Sequence, residues 1–158
     1  LKMIANICNV MQEHPVRRFI FLSSAAVYGE EVHNLGIKED TILNPTSYYG
    51  IAKCASEALL QKTMKESGLV LLRPPAAYGP GDNSNYGPTG FIKSALKGEN
   101  ITLWGDGTEK REFIFIDDLV KIINEMIFND YCGILNTPSV KSHTFAEVIR
   151  ILSDTSGL

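Results

Sequence analysis

Short apolar runs and stretches of helically spaced apolar residues follow one another along the chain. The apolar runs predict strands over 18–22, 68–72, 101–104, 112–116 and 133–136. Apolar residues three or four positions apart predict helices over 1–12, 49–65, 90–97, 119–127 and 144–152. A mixture of this kind is typical of the α/β class.

The sequence also indicates where helices begin and which faces they bury. Thr46 or Ser47 can cap the helix 49–65, and the pair Asp117 and Asp118 can cap the helix 119–127. Inward-facing positions are expected at Ala52, Ala55, Ala58, Leu59 and Met64 in one helix, and at Phe91, Ile92, Ala95 and Leu96 in another.

Tyr49 and Lys53 stand four residues apart in the helix 49–65, and their side chains therefore share one helix face. A nearby ammonium favours phenolate and lowers the pKa of a tyrosine from its usual value of about 10. Such a phenol can act as a general acid–base. The spacing alone equally fits a packed ring beside a solvated ammonium.

Two hydroxyls, Ser23 and Ser24, follow the apolar run 18–22 directly. That run predicts a buried parallel strand, and ligands of open α/β sheets bind at the carboxyl ends of such strands. Ser24 is therefore available to hydrogen-bond a substrate oxygen beside Tyr49.

Composition and charge give no reason to expect binding to nucleic acid or to a membrane surface. The chain has 158 residues, 44% apolar and 21% charged, with a formal net charge of −3. No apolar run approaches the roughly 20 residues of a membrane span. Three separated cysteines indicate reduced thiols in a cytoplasmic protein, and three scattered histidines do not predict a metal site.

Four motifs together resemble the extended short-chain dehydrogenase/reductase family, in particular its NAD-dependent epimerase and dehydratase branch. They stand in the order and at the spacing of that family and cover nearly the whole chain. The matching segments are Ser23-Ser24-Ala25-Ala26-Val27-Tyr28-Gly29, Asn44-Pro45-Thr46-Ser47-Tyr48-Tyr49-Gly50-Ile51-Ala52-Lys53, Leu72-Arg73-Pro74-Pro75 with Tyr78-Gly79-Pro80, and Gly105-Asp106-Gly107 with Arg111, Phe113, Asp117 and Asp118.

The resemblance implies a Rossmann-type, doubly wound parallel sheet, represented by its C-terminal half, with part of a smaller α/β substrate-binding domain. Residues 1–80 would belong to the NAD-binding domain, and residues 81–158 mostly to the substrate region, interleaved with a returning Rossmann strand and helix. The sequence contains no GxGxxG turn, and we therefore expect about the middle half of a family member. NAD is the implied cofactor, with NADP also open, and the complete protein is expected to be a cytoplasmic homodimer.

The resemblance also implies roles for individual residues. Tyr49 would accept the proton of a sugar hydroxyl, Lys53 would hold the tyrosine pKa down and bind the nicotinamide ribose, and Ser24 would stabilise the oxygen where a ketone forms. Ser23, Ser24 and Tyr49 also belong to the implied cofactor contacts. The main chain at Pro74 and Pro75 would meet the carboxamide, although these prolines also fit a simple strand-ending turn.

The reaction that follows oxidation depends on the residues after Ser24. Dehydratases of the family have an Asp-Glu pair there and decarboxylases a Glu, whereas this chain has Ala25 and Ala26, which carry no proton to transfer. The resemblance therefore favours a 4-epimerase. The alternative is that both alanines merely fit a tight turn while other residues supply the missing groups.

The expected substrate is a nucleotide sugar. Arg111 would bind the diphosphate, or else form a surface ion pair with Asp106 or Glu109. The segment from Thr102 to Trp104 would contact the base, or Trp104 would belong to the core. Ala25 and Ala76 also line the implied substrate site, but Ala76 replaces a usual asparagine and weakens an assignment to UDP-galactose. A reductase acting on a non-nucleotide carbonyl and a non-catalytic NAD sensor remain alternatives.

Overall fold

A computed structural model describes residues 1–29, 36–64, 68–103, 105–139 and 141–156. The chain forms two compact units. The first comprises Leu1–Pro74 and Val120–Thr137, and the second comprises Pro75–Leu119 and Pro138–Leu158. The chain thus leaves the first unit after Pro74 and later returns to it. The assignment of residues 1–80 and 81–158 to a cofactor domain and a substrate region stays a prediction.

The helices are α1 Lys2–Glu13, α2 Tyr48–Thr63, α3 Gly87–Lys97, α4 Ile116–Phe128 and α5 Phe145–Ser156. The strands are β1 Arg18–Leu22, β2 Gly68–Arg73, β3 Ala76–Tyr78, β4 Lys110–Arg111, β5 Phe113–Phe115, β6 Gly133–Asn136 and β7 His143–Thr144. A 3₁₀ turn spans Ala25–Tyr28.

The first unit contains a three-stranded parallel sheet in the order β1-β2-β6. Side chains on one face of this sheet pack with α1 and α2, and Leu60 and Leu71 are almost completely buried there. On β2, Val70 and Leu72 are also completely buried, as expected for a central strand of a parallel sheet. The predicted strands 18–22 and 133–136 coincide with β1 and β6, and β2 extends one residue beyond its prediction.

Among the residues that the structure describes, the second unit contains two small strand pairs. Strand β3 pairs with β5 in parallel, and β4 pairs with β7 in the antiparallel sense. An aromatic cluster surrounds Phe145, whose ring lies 5.8 Å from the ring centroid of Phe91 and 6.1 Å from those of Tyr86 and Phe113. The contacts with Tyr86 and Phe91 are edge-to-face, a geometry that adds specific attraction to the buried apolar area.

Several predicted details are wrong. Helix α2 leaves Ala58 and Leu59 exposed and buries Ser56, Glu57 and Leu60 instead. The cause is a buried partner for Glu57, described below, which apolar periodicity does not register. Leu96 is exposed as well.

One predicted strand and the predicted start of one helix are also wrong. Residues 101–103 form no regular strand, and Trp104 lies outside the described residues. Helix α4 begins at Ile116, and Asp117 and Asp118 therefore lie in its first turn rather than before it. In the part of the chain that the structure describes, no helix is long and apolar enough to cross a membrane.

Candidate functional site

Lys53 connects helix α2 to the carboxyl end of strand β1. Its Nζ donates a hydrogen bond to the carbonyl oxygen of Leu22 at 2.6 Å. The same ammonium lies 5.6 Å from the centroid of the Tyr49 ring and 5.0 Å from that of Phe21. The ammonium is therefore held at the end of strand β1, on the same side of α2 as Tyr49. One of its three hydrogen-bond donors is used by Leu22.

The Tyr49 ring is 56% exposed, and its neighbour Tyr48 is 94% exposed. Tyr49 is thus accessible to a ligand and does not belong to the core. Helix α2 begins under a side-chain cap, because the Ser47 hydroxyl accepts a hydrogen bond from the Gly50 N–H at 3.1 Å. Of the two predicted caps, the structure selects Ser47.

Ser23 and Ser24 follow β1 with different surroundings. Ser23 is 3% exposed, and its Oγ finds no hydrogen-bond partner among the described residues. Ser24 lies in extended backbone and caps the 3₁₀ turn, accepting from the Ala26 N–H at 3.2 Å. A buried hydroxyl without a partner is uncommon, and Ser23 is therefore available to hydrogen-bond a bound group.

Gly50 brings α2 against the 3₁₀ turn that follows Ser24. A Cβ at this position would lie 2.5 Å from the carbonyl oxygen of Ala26 and 3.1 Å from the Cβ of Pro45. No side chain fits in that space. The first turn of α2, which holds Tyr49, therefore lies in direct contact with the turn that Ser24 begins.

The turn is also attached to the central strand. The Ala25 N–H donates to the Pro74 carbonyl at 2.9 Å, and the Ser23 N–H donates to the Leu72 carbonyl at 2.7 Å. Proline carries no N–H, and Pro74 and Pro75 could therefore meet a carboxamide only through their carbonyl oxygens. The Pro74 carbonyl already accepts one hydrogen bond and has a second lone pair.

A buried charged group that the sequence analysis missed lies beside these residues. Arg73 is 3% exposed and Glu57 is 2% exposed. They form a bidentate pair with N–O distances of 3.0 and 2.6 Å. Desolvation acts to lower the pKa of the Arg73 guanidinium, but its interactions with Glu57 and Tyr28 outweigh this and keep that pKa above its ordinary value. The available signal was a Glu four residues after Lys53 and an Arg that ends an apolar strand.

Another missed residue is Thr137, which follows β6 at the carboxyl end of the same sheet. It is 3% exposed, and its Oγ1 has no partner among the described residues. No motif in the sequence distinguished it.

The remaining predicted substrate contacts belong to the second unit. Ala76 begins β3 and Thr102 lies exposed outside any regular element. Arg111, in β4, forms an ion pair with Glu109, as one of the two interpretations of this arginine described. Its predicted diphosphate contact stays a prediction, and so does the base contact assigned to Trp104, which is outside the described residues. Those residues hold no group of His, Cys, Asp and Glu side chains that could bind a metal ion.

The parallel sheet and the two helices packed against it are typical of a Rossmann-type fold. Comparison with known families then identifies the branch. Residues 1–132 match the model of the NAD dependent epimerase/dehydratase family. The chain belongs to this family, which is a family of enzymes.

Individual relatives agree with this assignment. An uncharacterized UDP-glucose epimerase, YtcB, from Bacillus subtilis strain 168 is 28% identical over 161 residues, covering 99% of this chain and 50% of the relative. UDP-N-acetylglucosamine 4-epimerase from Methanobrevibacter ruminantium M1, solved with UDP-N-acetylmuramic acid, superposes with a TM-score of 0.90 at 29% identity and covers 100% of this chain and 53% of that one.

A third comparison carries a bound cofactor. UDP-glucuronic acid 4-epimerase from Bacillus cereus, solved in complex with NAD, has a TM-score of 0.89 and 26% identity, with 100% of this chain and 52% of that one covered. The chain therefore spans about half the length of these relatives. The predicted membership of this enzyme family, the α/β Rossmann-type fold and the dependence of the family on NAD are confirmed.

Proposed function

We propose that this chain is part of an NAD-dependent nucleotide-sugar epimerase that oxidises a sugar hydroxyl transiently to a ketone. The observation that carries the proposal is the attachment of Lys53 to the Leu22 carbonyl at 2.6 Å, on the side of the Tyr49 ring. Membership of the NAD dependent epimerase/dehydratase family supports it. So does the likeness to relatives that are described as nucleotide-sugar epimerases.

Ser24, Tyr49 and Lys53 each have a separate task. Tyr49 acts as the general base that accepts the proton of the sugar hydroxyl, and the Lys53 ammonium, 5.6 Å from the centroid of the Tyr49 ring, places a positive charge beside it. The Ser24 hydroxyl accepts from the Ala26 N–H and still has its own hydrogen to donate to the sugar oxygen. Held in place by the turn, Ser24 orients that oxygen and stabilises the charge that develops on it.

The residues present fit one end of NAD. The buried Ser23 Oγ has no partner among the described residues, and the carbonyls at Pro74 and Pro75 can accept from a carboxamide. Two donors of the Lys53 ammonium remain beyond its bond to Leu22 and suit ribose hydroxyls. When bound, NAD supplies the acceptor for the hydride of the sugar carbon.

The 3₁₀ turn supports epimerisation over elimination of water. Elimination needs a further acid and base beside the sugar, and Ala25 and Ala26 provide neither. Ala26 also contacts Gly50 closely through its carbonyl oxygen, which accounts for a small residue there.

We propose that the complete protein is a cytoplasmic homodimer that pairs through α1 and α2, since Met3, Val10 and Leu59 are exposed on these helices.

A reductase of the same family that acts on a non-nucleotide carbonyl is the second candidate. The ion pair between Arg111 and Glu109 favours it, because an arginine held by a carboxylate is less available to a diphosphate. Assay of the complete protein with UDP-sugars and with small ketones separates the two candidates.

Tyr49→Phe in the complete protein tests the epimerase proposal. Removal of the hydroxyl should lower turnover of the nucleotide sugar about 100-fold or more, while the NAD content of the purified protein stays unchanged. Tyr48→Phe is the matched control, since that ring is 94% exposed and next in sequence, and its turnover should equal that of the wild type. Lys53→Met should lower both turnover and NAD content.

Retention of turnover by Tyr49→Phe would exclude Tyr49 as the proton acceptor. A Tyr49→Phe variant that loses thermal stability together with turnover would instead show that Tyr49 has a structural role.

A further inference from the structure

A single guanidinium, that of Arg73, connects three segments of the first unit. Two of its nitrogens donate to the Glu57 carboxylate on α2, at 3.0 and 2.6 Å. The third nitrogen donates to the Tyr28 hydroxyl at 2.6 Å and to the Glu39 carbonyl at 3.3 Å. Helix α2, the 3₁₀ turn and the segment before α2 therefore all bind the end of strand β2.

Tyr28 extends the network to the neighbouring strand. Its hydroxyl donates to the Asn136 side chain on β6 at 2.8 Å, and its ring lies 4.9 Å from the Arg73 guanidinium carbon. Tyr28 is 1% exposed. The backbone N–H of Asn136 in turn donates to the Glu39 carboxylate at 2.8 Å. All of these groups belong to the first unit. Arg73, Glu57 and Tyr28 are nearly inaccessible to water.

Stability alone does not explain such a group. A buried ion pair recovers little more than its desolvation cost and is often replaceable by apolar residues. Its geometry, in contrast, is strongly directional, because a planar guanidinium satisfies a carboxylate and a hydroxyl only in fixed positions. The network therefore constrains the relative position of the segments that it joins more than it stabilises them.

We propose that Arg73, Glu57 and Tyr28 are positioning residues for the reaction described above, and this inference rests on that proposed function. Glu57 follows Lys53 by one helical turn and Tyr49 by two, whereas Tyr28 ends the turn that Ser24 begins. The network holds the tyrosine and lysine on α2 at a constant distance from Ser24. Contact of Gly50 with Ala26 secures the other end of the same interface.

The geometry predicts a specific kinetic pattern. Tyr49 and Lys53 are on one helix and keep their mutual position when the network is weakened, so the pH dependence of turnover stays unchanged. The position of Ser24 relative to them does change, which affects proton and hydride transfer but not the nucleotide contacts that are proposed for residues of the second unit. The loss should therefore appear in kcat rather than in KM.

Tyr28→Phe in the complete NAD-loaded protein is the test, since it removes one hydroxyl and keeps the ring. We expect kcat to fall about tenfold with KM within about twofold. The kinetic isotope effect for a substrate deuterated at the oxidised carbon should rise, because hydride transfer becomes slower than the other steps. Glu57→Gln, which keeps the shape of the side chain, is the second variant and should show the same kinetic pattern together with a lower unfolding midpoint, because Arg73 is left as an uncompensated buried charge.

Two controls separate positioning from stability. Leu60→Ala empties a completely buried position on the same helix, outside the network, and should lower the unfolding midpoint without changing kcat or the isotope effect. In the Ser24→Ala background, Tyr28→Phe should cost little further activity, because its effect acts through Ser24. Leu60→Ala should lower the unfolding midpoint by the same amount in the Ser24→Ala background as in the wild type.

An active wild type whose Tyr28→Phe and Glu57→Gln variants lose only thermal stability, with kcat and isotope effect unchanged, would overturn the positioning role alone. A complete wild-type protein that turns over no nucleotide sugar would overturn the proposed function and this inference with it.

Discussion

A few side chains connect the helix α2 to the ends of strands in this protein, and each makes only a small number of contacts. Lys53 uses one hydrogen bond, to the Leu22 carbonyl, and Arg73 uses its whole guanidinium. Gly50 acts by having no side chain at all. Small changes at these positions should consequently alter the relation between helix and turn before they alter the fold.

Gly50→Ala tests this at the smallest scale. The added Cβ would lie 2.5 Å from the Ala26 carbonyl oxygen, a backbone atom that cannot turn away, so the helix must shift. We expect a loss of about 1–3 kcal/mol in the free energy of unfolding and a larger relative loss of kcat. Denaturant titration and steady-state kinetics of the complete protein measure the two effects.

Ile42→Ala, in the segment before α2 and 85% exposed, is the control and should leave both quantities nearly unchanged. Gly50→Ala with wild-type kcat would show that the contact between α2 and the turn does not matter for the reaction.

Helix α5 begins with a reciprocal pair at the scale of the element. The Thr144 N–H donates to the Glu147 carboxylate, and the Glu147 N–H donates to the Thr144 hydroxyl, both at 3.0 Å. This is a capping box. The hydrogen bond from the Thr144 N–H, opposed by desolvation and aided by Lys141, His143 and Arg150, holds the pKa of Glu147 below its usual value.

The pH dependence of stability follows from that direction. A carboxylate with a lowered folded-state pKa contributes stability above its unfolded pKa, about 4.3, and loses it as pH falls through the folded value. Thr144→Ala should destabilise the second unit by about 1 kcal/mol at pH 7. Thermal unfolding between pH 7 and pH 3 should show a smaller pH dependence in Glu147→Gln than in the wild type, and equal pH dependence in the two would contradict the argument.

The division into two units organises the molecule as a whole. The first unit holds the predicted proton-transfer residues and cofactor contacts up to Pro74, and the second holds Arg111. If the proposed roles are correct, cofactor binding and nucleotide-sugar binding should respond to changes in different units.

Arg111→Leu tests that separation in the complete protein. Loss of charge-assisted hydrogen bonds to a diphosphate should raise KM for the nucleotide sugar about tenfold or more while NAD affinity stays constant. Glu109→Gln should leave KM unchanged or lower it, because it releases Arg111 from the ion pair.

Arg17→Leu, at an arginine whose side chain is 95% exposed, serves as a control for charge alone. A similar loss of stability in Arg111→Leu and Glu109→Gln, with KM unchanged in both, would assign the arginine to the ion pair only.

The sequence by itself determined the strands β1, β2 and β6 nearly residue by residue, since short apolar runs bounded by polar residues leave few alternatives for a central parallel sheet. It also determined the family, because four motifs at fixed spacing rarely coincide by chance. Individual proton-transfer roles remain predictions that rest on that resemblance.

Only the tertiary structure decided which face of α2 is buried. Apolar periodicity placed Ala58 and Leu59 inside, whereas Glu57 is buried because Arg73, 16 residues later, supplies a bidentate partner. The same holds for the hydroxyls of Ser23 and Thr137, which have no hydrogen-bond partner among the described residues, and for the contact of Gly50 with Ala26. These features depend on atoms that are distant in the chain and close in space, and local sequence patterns carry no information about such pairs.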